Sequence, residues 1–188
     1  DAGLIEPDTK FLNLDKKLNC GKNTITEYDN KILSDLTVEE ILIKSGNIGS
    51  VKIGQMLEIE GLKSFLEKIG VLYKIGFDIE EVGQPIPFKW GKCKLATVSF
   101  GHGITTTPLQ LAKGYSIISN GGFEINPTLI KNKKNNKKKR VIRKDTSEAI
   151  NLMLRKIVLE GTAKLANVNG YDVAVSYTHL TLPTKRIV

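Results

Sequence analysis

The sequence predicts an α+β domain, in which several helices are combined with short strands. Thr37 and Glu40 have the spacing of a capping box ahead of an apolar run. Thr107-Pro108 places a capping residue directly before a proline suited to the first helical position. Short apolar segments flank Pro127, and residues 1–30 alternate between turn formers and extended pieces. Capped helices and short strands in one chain indicate the α+β class.

The first helical region should contain a break. The Thr37 hydroxyl can accept from the Glu40 amide while the Glu40 carboxylate reaches back, so a short helix should run through residues 41–43. Gly46 should end this helix, and residues 48–57 should begin a second one. The residues between the two helices are therefore expected at a helix-to-helix junction.

A third helix and a long irregular segment are expected next. Residues 61–69 place apolar side chains at spacings of three, one and three, which predicts one apolar helical face, and Gly70 suits the position just past the helix end. Residues 71–98 contain several glycines and prolines and should be irregular throughout.

Two further helices are predicted in the second half of the chain. Thr107 should begin one, which residues 120–122 should end. Asp145 and Glu148 form a second capping pattern, and Gly161 suits the end of the helix that follows. The apolar stripe of that helix consists of Ala149, Ile150, Met153, Leu154, Ile157 and Val158. Between the two helices, residues 124–130 and 141–143 should pair as strands.

The net charge of +8 is concentrated in one segment of this 188-residue chain. Nine of the 28 basic residues lie within 131–144 with no acidic residue among them, which leaves 19 basic against 20 acidic residues elsewhere. Mutual repulsion of the lysines predicts an extended, solvated loop. Contact with anionic lipid headgroups is the functional alternative. Nucleic-acid binding is disfavoured, because no aromatic residue interrupts the run to stack on bases.

The cysteine content and the hydropathy restrict other possibilities. Cys20 and Cys93 allow at most one internal disulfide, but two ordinary packed thiols are favoured, and their separation does not indicate a metal site. No stretch of eighteen apolar residues occurs, and residues 1–7 lack the features of a signal peptide. Any membrane anchor is expected upstream of this chain.

The order of short motifs along the chain is more specific than any one motif. In sequence they are Ser45-Gly46-Asn47, Ser99-Phe100-Gly101-His102-Gly103-Ile104, Thr107-Pro108-Leu109-Gln110-Leu111-Ala112, Ser119-Asn120-Gly121-Gly122 and Glu160-Gly161-Thr162-Ala163. Together with the capped helix before them, they resemble the transpeptidase domain of class B penicillin-binding proteins, the division-specific type most closely. The resemblance covers about residues 1–174.

The resemblance implies a fold, an activity and a setting. The fold is that of the serine β-lactamase-like transpeptidases, with helices packed on an antiparallel sheet. The activity is D,D-transpeptidation of peptidoglycan stem peptides at the division septum through a serine acyl-enzyme, which β-lactams block. No metal or organic cofactor is implied. The setting is the periplasmic domain of a protein anchored in the inner membrane, with other cell-division membrane proteins as partners and no nucleic acid.

Three residues carry the site that the resemblance implies. Ser45 and Asn47 match the S-x-N motif, in which the serine relays a proton toward the leaving group and the asparagine donates to the substrate amide. Gly46 is expected to contribute to substrate binding, with backbone freedom that helps aim its two neighbours. The alternative interpretation makes residues 45–47 an ordinary loop between two helices. A rival match of Lys44-Ser45-Gly46 to K-[ST]-G is disfavoured, because that motif belongs on an edge strand.

The remaining parts of the family's catalytic apparatus are not found. No serine in the 188 residues has a lysine three residues later, so S-x-x-K is absent, and K-T-G does not follow Ala174. The nucleophile is therefore expected upstream of Asp1 and the third motif beyond residue 174. Residues 175–188 resemble the translation of a transposase adapter used in sequencing libraries. The alternative for this tail is an ordinary strand.

Two other functions compete with the transpeptidase. A catalytically silent relative of the same fold would act as a cell-wall or divisome binding module, and an upstream S-x-x-K would argue against it. A basic nucleic-acid-binding protein would depend on the lysine run alone. His102, between two glycines, is expected to be a turn residue rather than a base.

Overall fold

The computed structural model describes residues 1–80, 82–131 and 139–174. The helices are α1 (Val38–Ile43), α2 (Asn47–Lys68), α3 (Lys92–Ser99), α4 (Pro108–Ser119) and α5 (Lys144–Leu159), followed by a 3-10 turn at Lys164–Ala166. The strands are β1 (Lys10–Phe11), β2 (Lys17–Cys20), β3 (Asn23–Thr26) and β4 (Leu36–Thr37). Strand β1 pairs with β4 and β2 with β3, both antiparallel. The predicted α+β class, with helices against small antiparallel sheets, is confirmed.

Helix α1 begins as its sequence predicts. The Thr37 hydroxyl accepts from the Glu40 amide at 3.1 Å, and the Glu40 carboxylate accepts from the Thr37 amide at 2.9 Å. Both orphan N–H groups are satisfied by side chains, which favours this start over its neighbours. The α1 helix then ends at Ile43, and Lys44 is its C-cap.

Helix α2 joins the two helices that were predicted separately. Its only interruption is at Glu58, where φ of +59° and ψ of −179° depart from helical values. Gly70 follows the helix end with φ of +83°, and the Val71 amide donates to the Leu66 carbonyl at 2.9 Å. This left-handed glycine confirms the predicted helix end.

Helix α3 was missed, since residues 71–98 were predicted to be irregular throughout. Its N-cap is Gly91, which has no side chain to mark the start, so the sequence carries no capping signal there. Packing against α2 stabilises it instead: a Cβ at Gly54 of α2 would lie 1.8 Å from the Ser99 hydroxyl oxygen. Only glycine permits this close approach.

Helix α4 begins at Pro108 with Thr107 as N-cap, as predicted. Gln110 completes a capping box by accepting from the Thr107 amide at 2.8 Å. The fully buried Gln110 also donates to the carbonyls of Tyr73 at 2.7 Å and Val71 at 3.2 Å. The glutamine therefore ties the irregular segment after α2 to the start of α4.

Helix α5 buries the predicted stripe but starts differently. Met153, Leu154, Ile157 and Val158 are buried, whereas Arg143 is the N-cap and makes no side-chain capping bond. The predicted Asp145 and Glu148 cap is wrong. Tertiary contacts hold the start instead, because buried Ser147 donates to the Ile118 carbonyl of α4, and the Asn151 amide does so at 3.0 Å.

The predicted strand pair at residues 124–130 and 141–143 is also wrong within the described residues. The pairing there is a single bridge between Phe123 and Arg140, with the Arg140 guanidinium 4.1 Å from the centre of the Phe123 ring. A Cβ at Gly122, whose φ is +87°, would lie 2.0 Å from the Ile142 carbonyl oxygen, so the two segments meet at a glycine contact. Most of the lysine run, residues 132–138, lies outside the described residues.

The expectation of two packed thiols is corrected by a disulfide. Cys20 at the end of β2 is bonded to Cys93 in α3, with their Cα atoms 5.2 Å apart. The short hairpin of β2 and β3 is thereby tied to α3, while Ile25 of β3 packs into a core with Ile48 and Val51 of α2. Two independent anchors thus hold the hairpin against the helices.

Candidate active site

Ser45 lies in the junction between α1 and α2 and is fully buried. Its φ of +54° places a non-glycine residue in the left-handed region. Gly46, by contrast, has φ of −70° and ψ of 117°. Gly46 therefore does not adopt a conformation that requires glycine. The left-handed, strained conformation is that of the motif serine, Ser45. Strain of this kind costs about 1–3 kcal/mol and persists where the surroundings enforce it.

The segment that follows α5 lies beside Ser45. The Ser45 and Thr162 hydroxyl oxygens are 3.5 Å apart. A Cβ at Gly161 would lie 2.5 Å from the Ile43 carbonyl oxygen, so glycine is needed for the two segments to meet. The Glu160-Gly161-Thr162-Ala163 motif thus lies directly beside the junction that carries S-x-N.

Asn47 occupies the first position of α2 and is held by the hairpin. Its side-chain amide donates to the Thr26 carbonyl at 2.9 Å. Its backbone amide donates to the Glu27 carboxylate at 2.7 Å, and the Ile48 amide donates to the other oxygen of that carboxylate at 2.9 Å. Glu27 therefore caps α2 from a distant part of the sequence.

Charges near the junction also tie its elements together. The Lys156 ammonium of α5 donates to the Glu39 carboxylate of α1 at 2.7 Å, and this hydrogen bond raises the pKa of Lys156. Burial, followed by the charges of Asp29 and Glu27, raises the pKa of Tyr28. Both shifts move the loss of the proton from these groups to higher pH.

Comparison with known proteins assigns the family. The sequence model of the penicillin binding protein transpeptidase domain matches residues 1–175. The chain belongs to this family.

Relatives of known sequence agree with this membership. The chain is 30% identical over 177 residues to the probable peptidoglycan D,D-transpeptidase PenA of Neisseria flavescens, covering 92% of the chain and 43% of PenA. It is 34% identical over 152 residues to stage V sporulation protein D of Bacillus subtilis, covering 73% of the chain and 24% of that protein. The chain therefore spans less than half the length of these curated relatives.

The fold is also that of solved family members. The crystal structure of a peptidoglycan glycosyltransferase from Burkholderia ambifaria matches with a TM-score of 0.81 at 25% identity, covering 90% of this chain and 55% of that one. The transpeptidase domain of Burkholderia pseudomallei penicillin-binding protein 3 also matches with a TM-score of 0.81, at 24% identity, covering 95% and 56%. The second likeness shows the shared fold alone.

Within this transpeptidase-family chain, the motif at residues 99–104 starts at the last residue of α3 and continues beyond it. Gly101 and Gly103 flank His102 with φ of +83° and +73°, the left-handed region, which fits the expectation that His102 belongs to a turn. The His102 and Phe100 ring centres are 6.0 Å apart in a stacked arrangement. The segment is thus built as a glycine turn. The rival K-[ST]-G interpretation is wrong, since Lys44 caps a helix and does not lie on a strand.

The side chains at the junction are hydrogen-bonding groups. Hydroxyl groups on Ser45 and Thr162 can each donate and accept, and the Asn47 amide provides both functions. The described parts of the chain contain no group of three side chains of the His, Cys, Asp or Glu types suited to a metal ion.

Among the helices of these same parts, none has the length and hydropathy of a membrane span.

Sequence reasoning missed two contributors to the junction and left a third without a role. Glu27 and Thr26 lie about twenty residues before Asn47, so no local periodicity links them to it. Thr162 belonged to a recognised motif, but its proximity to Ser45 depends on how α1 and α5 pack. The lack of a side-chain cap at Gly46 was the one signal available, because an uncapped helix start needs acceptors from elsewhere.

Proposed function

We propose that this chain is part of a peptidoglycan D,D-transpeptidase that cross-links stem peptides through a serine acyl-enzyme and binds penicillin and other β-lactams. The match of the transpeptidase-domain model to residues 1–175 carries this proposal. The names of two relatives support it, since PenA of Neisseria flavescens and FtsI of Caulobacter vibrioides are both probable peptidoglycan D,D-transpeptidases. We call the complete protein to which the chain would belong the parent protein.

In the parent protein, Ser45 and Asn47 would supply the second catalytic motif. The Ser45 hydroxyl would relay a proton toward the leaving amine, and the Asn47 amide would donate to the substrate amide. Gly46 would lie against the substrate backbone. The buried, left-handed Ser45 supports a functional role, because strained polar residues are concentrated at active sites. The attacking serine and the K-T-G strand would come from other parts of the parent protein.

The proposed setting is septal cell-wall synthesis. The likeness to FtsI, 30% identical over 112 residues, supports a role in division. The parent protein would act from the periplasmic side of an inner-membrane anchor, together with other cell-division membrane proteins. Residues 1–174 would form part of the catalytic domain, and residues 175–188, which lie outside the described residues, would not belong to it.

Acylation of the parent protein tests the role of Asn47. Asn47→Ala should lower the acylation rate by on the order of a hundredfold, the usual effect of losing one positioned donor. Stopped-flow acylation with a chromogenic β-lactam measures the rate, and thermal unfolding monitors the fold.

Asn120→Ala is the matched control for this experiment. The Asn120 amide donates to the Phe123 carbonyl at 2.9 Å, the same kind of contact as that between Asn47 and Thr26. Both variants lose a hydrogen bond from a side-chain amide to a backbone carbonyl, and Asn120→Ala also loses the bond from the Phe123 amide to the Asn120 side-chain oxygen at 2.8 Å. Only Asn47→Ala should lose acylation. Equal acylation rates in the two variants would remove Asn47 from the site. No acylation of the unmutated parent protein would favour a catalytically silent binding module instead.

A further inference from the structure

We propose that Glu27 is a positioning residue for the Ser45-Gly46-Asn47 motif. Its carboxylate accepts from two consecutive backbone amides at the start of α2, those of Asn47 at 2.7 Å and Ile48 at 2.9 Å. The inference deepens the proposed function and rests on it, because it assigns to Glu27 the task of holding Asn47 where a substrate amide can be met.

The start of α2 lacks a cap of its own. Gly46 is the N-cap residue, and having no side chain it makes no capping hydrogen bond. The first amides of a helix need acceptors from outside the helix. The two oxygens of Glu27 serve as these acceptors, and the negative charge is placed at the positive end of the helix dipole. A residue twenty positions earlier in the chain thus performs the task of a local cap.

The hairpin holds Asn47 by its side chain as well. The side-chain amide of Asn47 donates to the Thr26 carbonyl at 2.9 Å. Glu27, which follows Thr26 in the chain, accepts from the backbone amide of Asn47. One two-residue segment therefore fixes both the position of Asn47 and the orientation of its side chain. A shift of Glu27 would move the first turn of α2 together with the motif asparagine.

The carboxylate is itself delivered by a rigid element. Ile25, two residues before Glu27, is buried among core residues that include Ile48 of α2. At the other end of the hairpin, Cys20 is bonded to Cys93 of α3. Glu27 follows β3 directly and is half-buried, so its position depends on these anchors. A site held on rigid elements keeps its geometry better than one held by free loops.

Two substitutions and one control separate positioning from general stability. Glu27→Gln keeps the size of the side chain but places an amide donor against one of the two backbone N–H groups. Glu27→Asp retains both acceptor oxygens on a shorter side chain. Glu60→Gln removes the same charge from an exposed position of α2 and serves as the control.

The experiment uses the parent protein and two readouts. Saturation kinetics of acylation by a chromogenic penicillin separate the binding constant from the first-order acylation rate. Glu27→Gln should lower the acylation rate by about tenfold or more with binding almost unchanged, because misplacement of a catalytic group acts on the reacting geometry. Glu27→Asp should restore part of the rate, and Glu60→Gln should match the unmutated protein.

Amide hydrogen exchange supplies the second readout, which does not depend on catalysis. In Glu27→Gln the Asn47 and Ile48 amides should exchange about tenfold faster, as expected when a hydrogen bond to a charged acceptor is lost. Unchanged exchange at both amides in Glu27→Gln overturns the inference. If the unmutated parent protein is acylated, faster exchange in Glu27→Gln with an unaltered acylation rate overturns it as well. If the unmutated parent protein is not acylated, the proposed function fails, and exchange alone decides whether Glu27 holds the junction.

Discussion

Lys156 of α5 donates to Glu39 of α1 across 2.7 Å, joining the two helices that are followed by Thr162 and Ser45. The two side chains are 117 residues apart in sequence. The same helices meet again where Gly161 packs on the Ile43 carbonyl. An ion pair and a glycine contact therefore fix the distance between the two hydroxyl groups of the junction.

The pH dependence of unfolding tests the ion pair. The Glu39 hydrogen bond raises the pKa of Lys156 above its ordinary value of 10.5, so the stabilisation is fully present below that pH and is lost as the pH rises through the pKa in the folded protein. Lys156→Met should therefore lower the thermal midpoint at pH 7 and 9, with the difference shrinking above pH 10.5. Exposed Lys89→Met is the control. A difference that stays constant at high pH would contradict the assignment.

Alanine should destabilise the protein less at Gly46 than at Gly161, the two glycines near the motif serine. A Cβ at Gly46 would lie 3.6 Å from the Ile41 carbonyl oxygen, an ordinary contact, so Gly46→Ala should cost less than about 1 kcal/mol in unfolding free energy. At Gly161 the added Cβ would lie 2.5 Å from the Ile43 carbonyl oxygen, and overpacking of this kind costs about 1–3 kcal/mol. Denaturant titration of both variants measures the two costs. The reverse order of stability would show that the backbone at Gly46 needs glycine.

Reduction of the disulfide should destabilise the protein. Cys20 and Cys93 are 73 residues apart, and in the chain-entropy model closing a loop of this size stabilises the folded state by about 4 kcal/mol. Denaturant unfolding with and without a thiol reductant measures this loss. The double variant Cys20→Ser, Cys93→Ser should unfold at one midpoint under both conditions. Identical midpoints for the oxidised and reduced unmutated protein would refute the stabilising role.

Local signals predicted the parts of the fold that depend on a few neighbouring residues. The Thr37 and Thr107 caps and the left-handed Gly70 are set by contacts within four or five residues. The apolar stripe of α5 is equally local, because a helix repeats every 3.6 residues. The motif order predicted the family, which the match to residues 1–175 confirms.

Features that depend on packing could not be predicted in the same way. Helix α3 has a glycine N-cap and is held by α2, and the start of α5 is held by a carbonyl of α4, so neither has a sequence signal of its own. The candidate site shows the same limit. Ser45 and Asn47 were found by motif, whereas the proximity of Ser45 to Thr162 and the capping by Glu27 depend on contacts between segments that are distant in sequence.

Labelling with a fluorescent penicillin tests the central claim most directly. The parent protein should be labelled covalently, and excess unlabelled penicillin should prevent it, since a serine acyl-enzyme is the proposed intermediate. The 188-residue chain alone should stay unlabelled, because none of its serines has a lysine three residues later. Stable label on any serine of this chain, or a folded parent protein that takes up no label, would contradict the account.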